Sequence, residues 1–171
     1  PEPQTLHDAY DKKIVITDND NDYKWTIVDI ETGEKKVLGG ITNGDYANAK
    51  LFKNYFVLSS TVNANNNWHV KYSVRSYNDL VIATESDSSS ALVIIGDSVY
   101  KNNNENKLEK VFGYVNDDDI IDVDLSEYTS KHELAFVYYF PTTDTVIEYY
   151  SHGNNARIII NDEKEFYCAR S

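Results

Sequence analysis

The chain has 171 residues, with 16 basic against 28 acidic side chains and a formal net charge of −12; this length suits one all-β domain whose core needs neither disulfide nor metal to hold it. The negative excess excludes nucleic acid and anionic membrane surfaces as partners, since both are bound by lysines and arginines that neutralise phosphates. The longest apolar runs, such as Ala91-Leu92-Val93-Ile94-Ile95, fall far short of the roughly 20 residues that span a bilayer, and the single cysteine, Cys168, allows neither an internal disulfide nor a Cys-x-x-Cys zinc site.

Residues 1–11 read as a leader ahead of a β core at 12–168. Pro1-Glu2-Pro3-Gln4 is extended in character and looks like what remains after an upstream segment is removed. A secreted or cell-surface setting is therefore the expectation. None of the 18 asparagines opens an Asn-x-Ser/Thr acceptor, so N-glycosylation lends that expectation no support. Segment 4–10 is a candidate short helix.

From there the chain repeats one pattern: a β-branched or aromatic stretch, a knot of Asn and Asp, then a second such stretch, which is how a long hairpin reads. Residues 14–16 and 25–28 flank the knot at 18–22, and 55–58 and 68–72 flank 63–67. Residues 92–95 and 98–100 with 110–112 flank 102–106, and 134–139 and 146–150 flank 142–144. A fifth, shorter pair closes around Asp162 and Glu163. The loop centres Asp20, Asn65, Asn103 and Thr143 lie 45, 38 and 40 residues apart, close to the spacing of four-stranded propeller blades. The stretch 28–38, with its Asp29-x-x-Thr32-Gly33 turn, resembles the inner-to-outer strand turn of a propeller blade. An up-and-down barrel of antiparallel hairpins would give a similar string of elements, and a β-sandwich is the third choice. Helix is scarce: 126–134 is the best candidate, with Asp122, Asp124 and Ser126 available to cap it and Glu127 near its positive end.

Gly96-Asp97-Ser98, directly after the 91–95 strand, resembles the nucleophile block of the SGNH lipases and esterases, which would make Ser98 a nucleophile. That family also needs an Asp-x-x-His pair to activate the serine. No aspartate stands three residues before His132 or His152, and a chain with 7 glycines lacks the family's glycine-rich oxyanion segments. Ser98 is accordingly expected to be a turn donor, and the protein not to be an enzyme. Asp122, Asp124, Ser126 and Glu133 occupy positions one, three, five and twelve of a calcium-loop spacing, although Glu127 stands where that loop needs glycine and Thr129 where it has an aliphatic residue. Calcium is the one cofactor this suggests. Asp18, Asp20 and Asp22, with Asp29 further on, and Asp117-Asp118-Asp119 read instead as solvated loops. His7, His69, His132 and His152 show no metal-binding spacing.

Tyrosine occurs 14 times. It combines contact area with a polar end at low entropic cost and is enriched at recognition surfaces, but it also suits strands. In the neighbouring pairs Tyr138/Tyr139 and Tyr149/Tyr150 one ring must fall on each sheet face. These four, with Trp25 and Trp68, are the candidate binding residues. The expected function is non-enzymatic recognition of a protein or a glycan through exposed aromatics and acidic loops. The alternative resembles lipocalins in architecture, a barrel holding a small apolar or cationic ligand, although it lacks their Gly-x-Trp motif and paired cysteines.

Overall fold

The computed structural model describes residues 4–18, 24–42, 44–88, 90–131, 134–150, 155–160 and 164–169. It is nearly all β, with antiparallel sheets. In chain order the strands are β1 (Gln4–Tyr10), β2 (Lys13–Asp18), β3 (Trp25–Asp29), β4 (Lys35–Val37), β5 (Asn48–Leu51), β6 (Tyr55–Ala64), β7 (Asn67–Ser76) and β8 (Val81–Ser88). They are followed by β9 (Leu92–Ile95), β10 (Ser98–Asn102), β11 (Leu108–Phe112), β12 (Ile120–Ile121), the helical turn α1 (Ser126–Thr129), β13 (Leu134–Phe140), β14 (Thr145–Tyr150), β15 (Asn155–Ile160) and β16 (Lys164–Ala169).

These strands form four consecutive four-stranded meanders. β1 to β4 make one sheet and β5 to β8 a second, each in chain order, while the third and fourth meanders share an eight-stranded sheet ordered β12-β11-β10-β9-β13-β14-β15-β16. The seam of that sheet is its parallel step, where Leu92, Val93 and Ile94 of β9 face Phe136, Val137 and Tyr138 of β13. Among the described residues no sheet closes on itself. The first strands of the meanders begin at Gln4, Asn48, Leu92 and Leu134, spacings of 44, 44 and 42 residues.

Local chemistry accounts for the turns. Asn65 and Asn66 both take positive φ, 54° and 62°, the left-handed pair that a two-residue hairpin between right-twisted strands demands and that asparagine tolerates best among residues with a side chain. Segment 4–10, expected as a helix, is strand β1. It pairs with β2 from Gln4↔Asp18 to Tyr10↔Lys13 around a bulge between Leu6 and Asp8, because partners on β2 and β5 outweigh the weak propensity of seven residues. The helix expected over 126–134 shortens to the single turn α1.

The described residues group into two compact units, 1–60 with 71–85, and 61–70 with 86–171. In the first, Val15, Trp25 and Ile27 pack with Leu51, Phe56 and Leu58. In the second, Val93, Tyr100, Leu108, Leu134, Val137 and Val146 form the core. The third and fourth meanders open with apolar runs buried on consecutive positions, 92–94 in β9 and 134–137 in β13, so these strands are covered on both faces and read as continuous hydrophobic stretches rather than alternation.

Candidate functional site

The candidate site lies in the second unit, where the chain leaving β11 is folded back over the start of β10. β9 and β10 meet in a two-residue turn with Gly96 at φ +57°, and Ser98, directly opposite Ile95, is completely buried. Gly113 crosses this point so closely that a Cβ on it would stand 2.0 Å from Ser98 Oγ and 2.6 Å from Ser98 Cα. Only glycine permits that approach. The crossing brings the Tyr114 N–H to Ser98 Oγ at 2.9 Å, and Ser98 Oγ in turn donates to Asp117 Oδ2 at 2.5 Å.

Four further contacts hold the 113–119 loop. The Lys110 ammonium donates to the Tyr114 carbonyl at 3.1 Å and the Asp117 carbonyl at 2.8 Å, and pairs with Asp119 Oδ1 at 2.8 Å. The Tyr100 hydroxyl donates to the Asp118 carbonyl at 3.0 Å. Burial, reinforced by Asp117, Asp118 and Asp119, raises the Tyr100 pKa above the ordinary phenol value, so this hydroxyl stays a donor throughout the usable pH range.

Beneath the loop opens a recess of about 380 Å³, lined by Ile95, Gly96, Asp97, Tyr100, Tyr114, Asn116, Asp117, Asp118 and Ile121. That volume is in the range of small-ligand sites. Of its lining residues Tyr114 is 52% exposed. The lining thus brings three aspartates and an asparagine together with two tyrosines and two isoleucines. Lys110, the cation beside it, is turned inward onto the loop's own carbonyls.

No family model matches the chain, and no curated protein matches it. Among solved structures, the crystal structure of AztD from Citrobacter koseri is 11% identical, with a TM-score of 0.46 over 96% of this chain and 46% of that one. The structure of apo AztD from the same organism gives 11%, 0.47, 96% and 47%. This chain therefore spans less than half the length of either.

The residues singled out from sequence are dispersed. Trp25 is buried in the first core, its ring 4.3 Å from that of His7, and Tyr139 is buried in the second, with its hydroxyl 3.2 Å from Asp144 Oδ1. Both serve packing, because each lies on a strand position facing a core. Tyr138, Tyr149 and Tyr150 are half-buried. Tyr150 donates at 2.8 Å to Glu148, a fully buried carboxylate that also pairs with Lys131 and lies 3.4 Å from Arg157 Nη1. Trp68, 36% exposed, lines a second cleft with His69, Thr129 and Lys131. The free space there is about 10 Å³, enough for one water molecule.

Of the calcium-loop residues, Asp122 and Asp124 are exposed, and Asp124 Oδ1 accepts the Ser126 N–H at 2.9 Å. The Ser126 hydroxyl, followed by that bond, lowers the Asp124 pKa and spends the carboxylate on the start of α1. Glu133 and His132 lie outside the described residues. Among the described residues no three His, Cys, Asp or Glu side chains come together as a metal would require. The residues that do converge, Ser98, Lys110, Gly113, Tyr114 and Asp117, come from strand ends and a loop that sequence periodicity does not connect. Ser98 and the 117–119 aspartates stood out in the sequence only separately; the signal that they meet was Gly113, a glycine directly after an apolar strand, where close backbone approach is a standard reason for glycine.

Proposed function

We propose that the chain is a non-enzymatic recognition module and that its binding surface is the recess under the 113–119 loop. The observation that carries this reading is the combination of a ligand-sized concavity with a loop anchored before any ligand arrives: Ser98, Lys110 and Tyr100 together hold its backbone. Preorganised loops bind without the cost of ordering themselves. The half-exposed Tyr114 and the Asp97, Asn116 and Asp118 groups supply the mixed aromatic and polar lining typical of recognition sites.

The non-enzymatic part of the proposal draws support from Ser98. Its hydroxyl is buried, donating to Asp117 and accepting from the Tyr114 N–H, and this occupies the groups that nucleophilic attack would need free. We further propose that the four meanders are propeller-type blades. The reading rests on the regular 44, 44 and 42-residue period of their first strands, on four strands per meander, and on the parallel alignment of β9 with β13.

The test is an array experiment. The protein is applied to a glycan array and to a peptide array, in parallel with the Tyr114→Ala and Asp118→Asn variants, after each variant is shown to melt like the parent. Ligands of the parent are expected to be lost or weakened by about 2 kcal/mol in the Tyr114 variant if that ring anchors the contact. Ligands bound equally by both variants would place recognition elsewhere on the molecule.

A further inference from the structure

Strand β1 is held at two residues. Of its seven side chains only His7 and Asp8 are half-buried, the others being exposed, and the ladder to β2 is broken at the same place by the bulge between Leu6 and Asp8. We infer that β1 is an acid-released strand, with the His7 ring as its latch. The bulge takes His7 out of the β2 register, and its ring reaches three elements at once. Nε2 lies 2.9 Å from Thr17 Oγ1 of β2, the ring centroid lies 4.3 Å from that of Trp25 on β3, and the ring donates to the Ala47 carbonyl just ahead of β5. Ala47 is in turn tied to β6, its N–H donating to the Ser59 carbonyl at 3.0 Å. Asp8 supplies the second hold: its Oδ2 accepts the Leu51 N–H at 2.7 Å and lies 3.8 Å from Lys50 Nζ, both of β5.

These contacts suit a neutral imidazole. With one ring nitrogen donating to Ala47, the other can only accept, and the Thr17 hydroxyl is the donor that meets it. A second proton makes both nitrogens donors. The Thr17 hydrogen must then turn away inside a residue only 4% exposed, and the new charge lies against the equally buried Trp25. Moving His7 into water relieves both, and β1 leaves with it, because the strand's other side chains have little buried surface to lose. The charged groups on the surrounding elements are already engaged: Asp8 with Leu51 and Lys50, Asp18 of β2 with Gln4, Asp45 ahead of β5 with Lys71 and Thr42, and Lys24 ahead of β3. Burial sets the response of His7, only partly offset by the Ala47 bond, and lowers its pKa below 6.5. The latch is therefore complete above about 6.5 and weakens as pH falls below it. Once β1 is gone, β2 presents an open hydrogen-bonding edge, the kind of ladder that accepts an added strand.

Amide hydrogen exchange of the intact protein tests this, measured residue by residue from about pH 7.5 to about pH 5, with each rate divided by its intrinsic value at that pH. The β1 amides and the Leu51 N–H, which loses its Asp8 acceptor when the strand departs, are expected to lose protection in step with the titration of the His7 ring resonances. Val74 of β7, fully buried in the same unit, is expected to keep its protection throughout. His7→Gln cannot take up a proton, so Leu51 exchange in that variant should hold one level across the range, whether that level is tight or loose. Protection of Leu51 and β1 that persists to about pH 5 would overturn the inference, as would an unchanged acid response in the Gln variant. Loss of protection at Val74 together with Leu51 would also overturn it, since the whole unit would then be unfolding rather than one strand leaving.

Discussion

Gly113 is the residue on which the site's geometry turns, and its replacement is the sharpest local experiment. An alanine methyl would meet Ser98 atoms at 2.0 to 2.6 Å, the nearest backbone atom among them, so β10 and the loop must separate. Gly113→Ala is expected to cost several kcal/mol, as overpacked and strained sites do. Gly33, with φ +74° and no neighbour within 4 Å, should lose only about 1 kcal/mol on the same change, for backbone strain alone. Urea unfolding of both variants checks the contrast, and equal losses would show that close approach at Gly113 is not what matters. Two titrating residues give a pH dependence as well. Burial lowers the His7 pKa below 6.5, outweighing its bond to the Ala47 backbone. The Lys71 ammonium, followed by Thr42, holds Asp45 at about 2 rather than 3.8. In both cases the folded state binds protons less readily than the unfolded chain. Their contributions are complete above the unfolded values and are lost as pH falls, from about 6.5 downward for His7 and between 3.8 and about 2 for Asp45. Denaturant midpoints measured against pH should therefore decline in two stages, and Asp45→Asn should flatten the lower one.

Elements differ in how plainly they can be read from sequence, for physical reasons. The turns were legible because their backbones require residues that tolerate positive φ: Asn65, Asn66, Asn106 and Asp144 all adopt it, and each falls in one of the Asn/Asp knots. Replacing Asn66 by glycine should preserve or slightly raise stability. Alanine at both 65 and 66 should cost about 1 kcal/mol per residue, the penalty of a left-handed conformation without compensation, and thermal melts of the two variants would separate these outcomes. Most strands with several buried residues were equally legible. β5, β8 and β12 were not: only Ala49 and Leu51 of β5 reach a core, Val81 and Ile82 at the start of β8 are exposed, and Ile120-Ile121 is only two residues long. The 4–10 segment misled because its strand character comes from pairing with β2 rather than from its own pattern. The aspartates at 117–119 are exposed, as expected, but the role of Asp117 as the acceptor of Ser98 depends on a backbone crossing that no spacing rule announces. Glu148 was invisible for a similar reason. Lys131, Arg157 and Tyr150 reach it from a loop and two strands. Removing the carboxylate with Glu148→Ala should destabilise by about 3 to 5 kcal/mol, because two cations lose their counterion.

For the whole molecule, charge and strand content set the expectations. At −12 the protein should pass through a heparin column at low salt, and retention would contradict the exclusion of polyanions. Far-ultraviolet circular dichroism should be β-dominated, consistent with a single helical turn among the described residues. The parallel seam has a consequence for the route by which this chain reaches its native form. Leu92 and Phe136 are neighbours in space and 44 positions apart in sequence, so β9 must wait, with Val93 and Ile94 uncovered along one side, until β13 has been made and delivered. Antiparallel hairpins close early because their loops are short, whereas a parallel partner so distant arrives late. Until then β9 offers other chains an apolar strand with unpaired hydrogen-bonding groups, the template from which intermolecular sheets grow. Refolding yield should accordingly fall with rising protein concentration, with light scattering appearing before native fluorescence. A lysine at Ile94, at the exposed flank of the waiting strand, should suppress that scattering even as it weakens the finished fold.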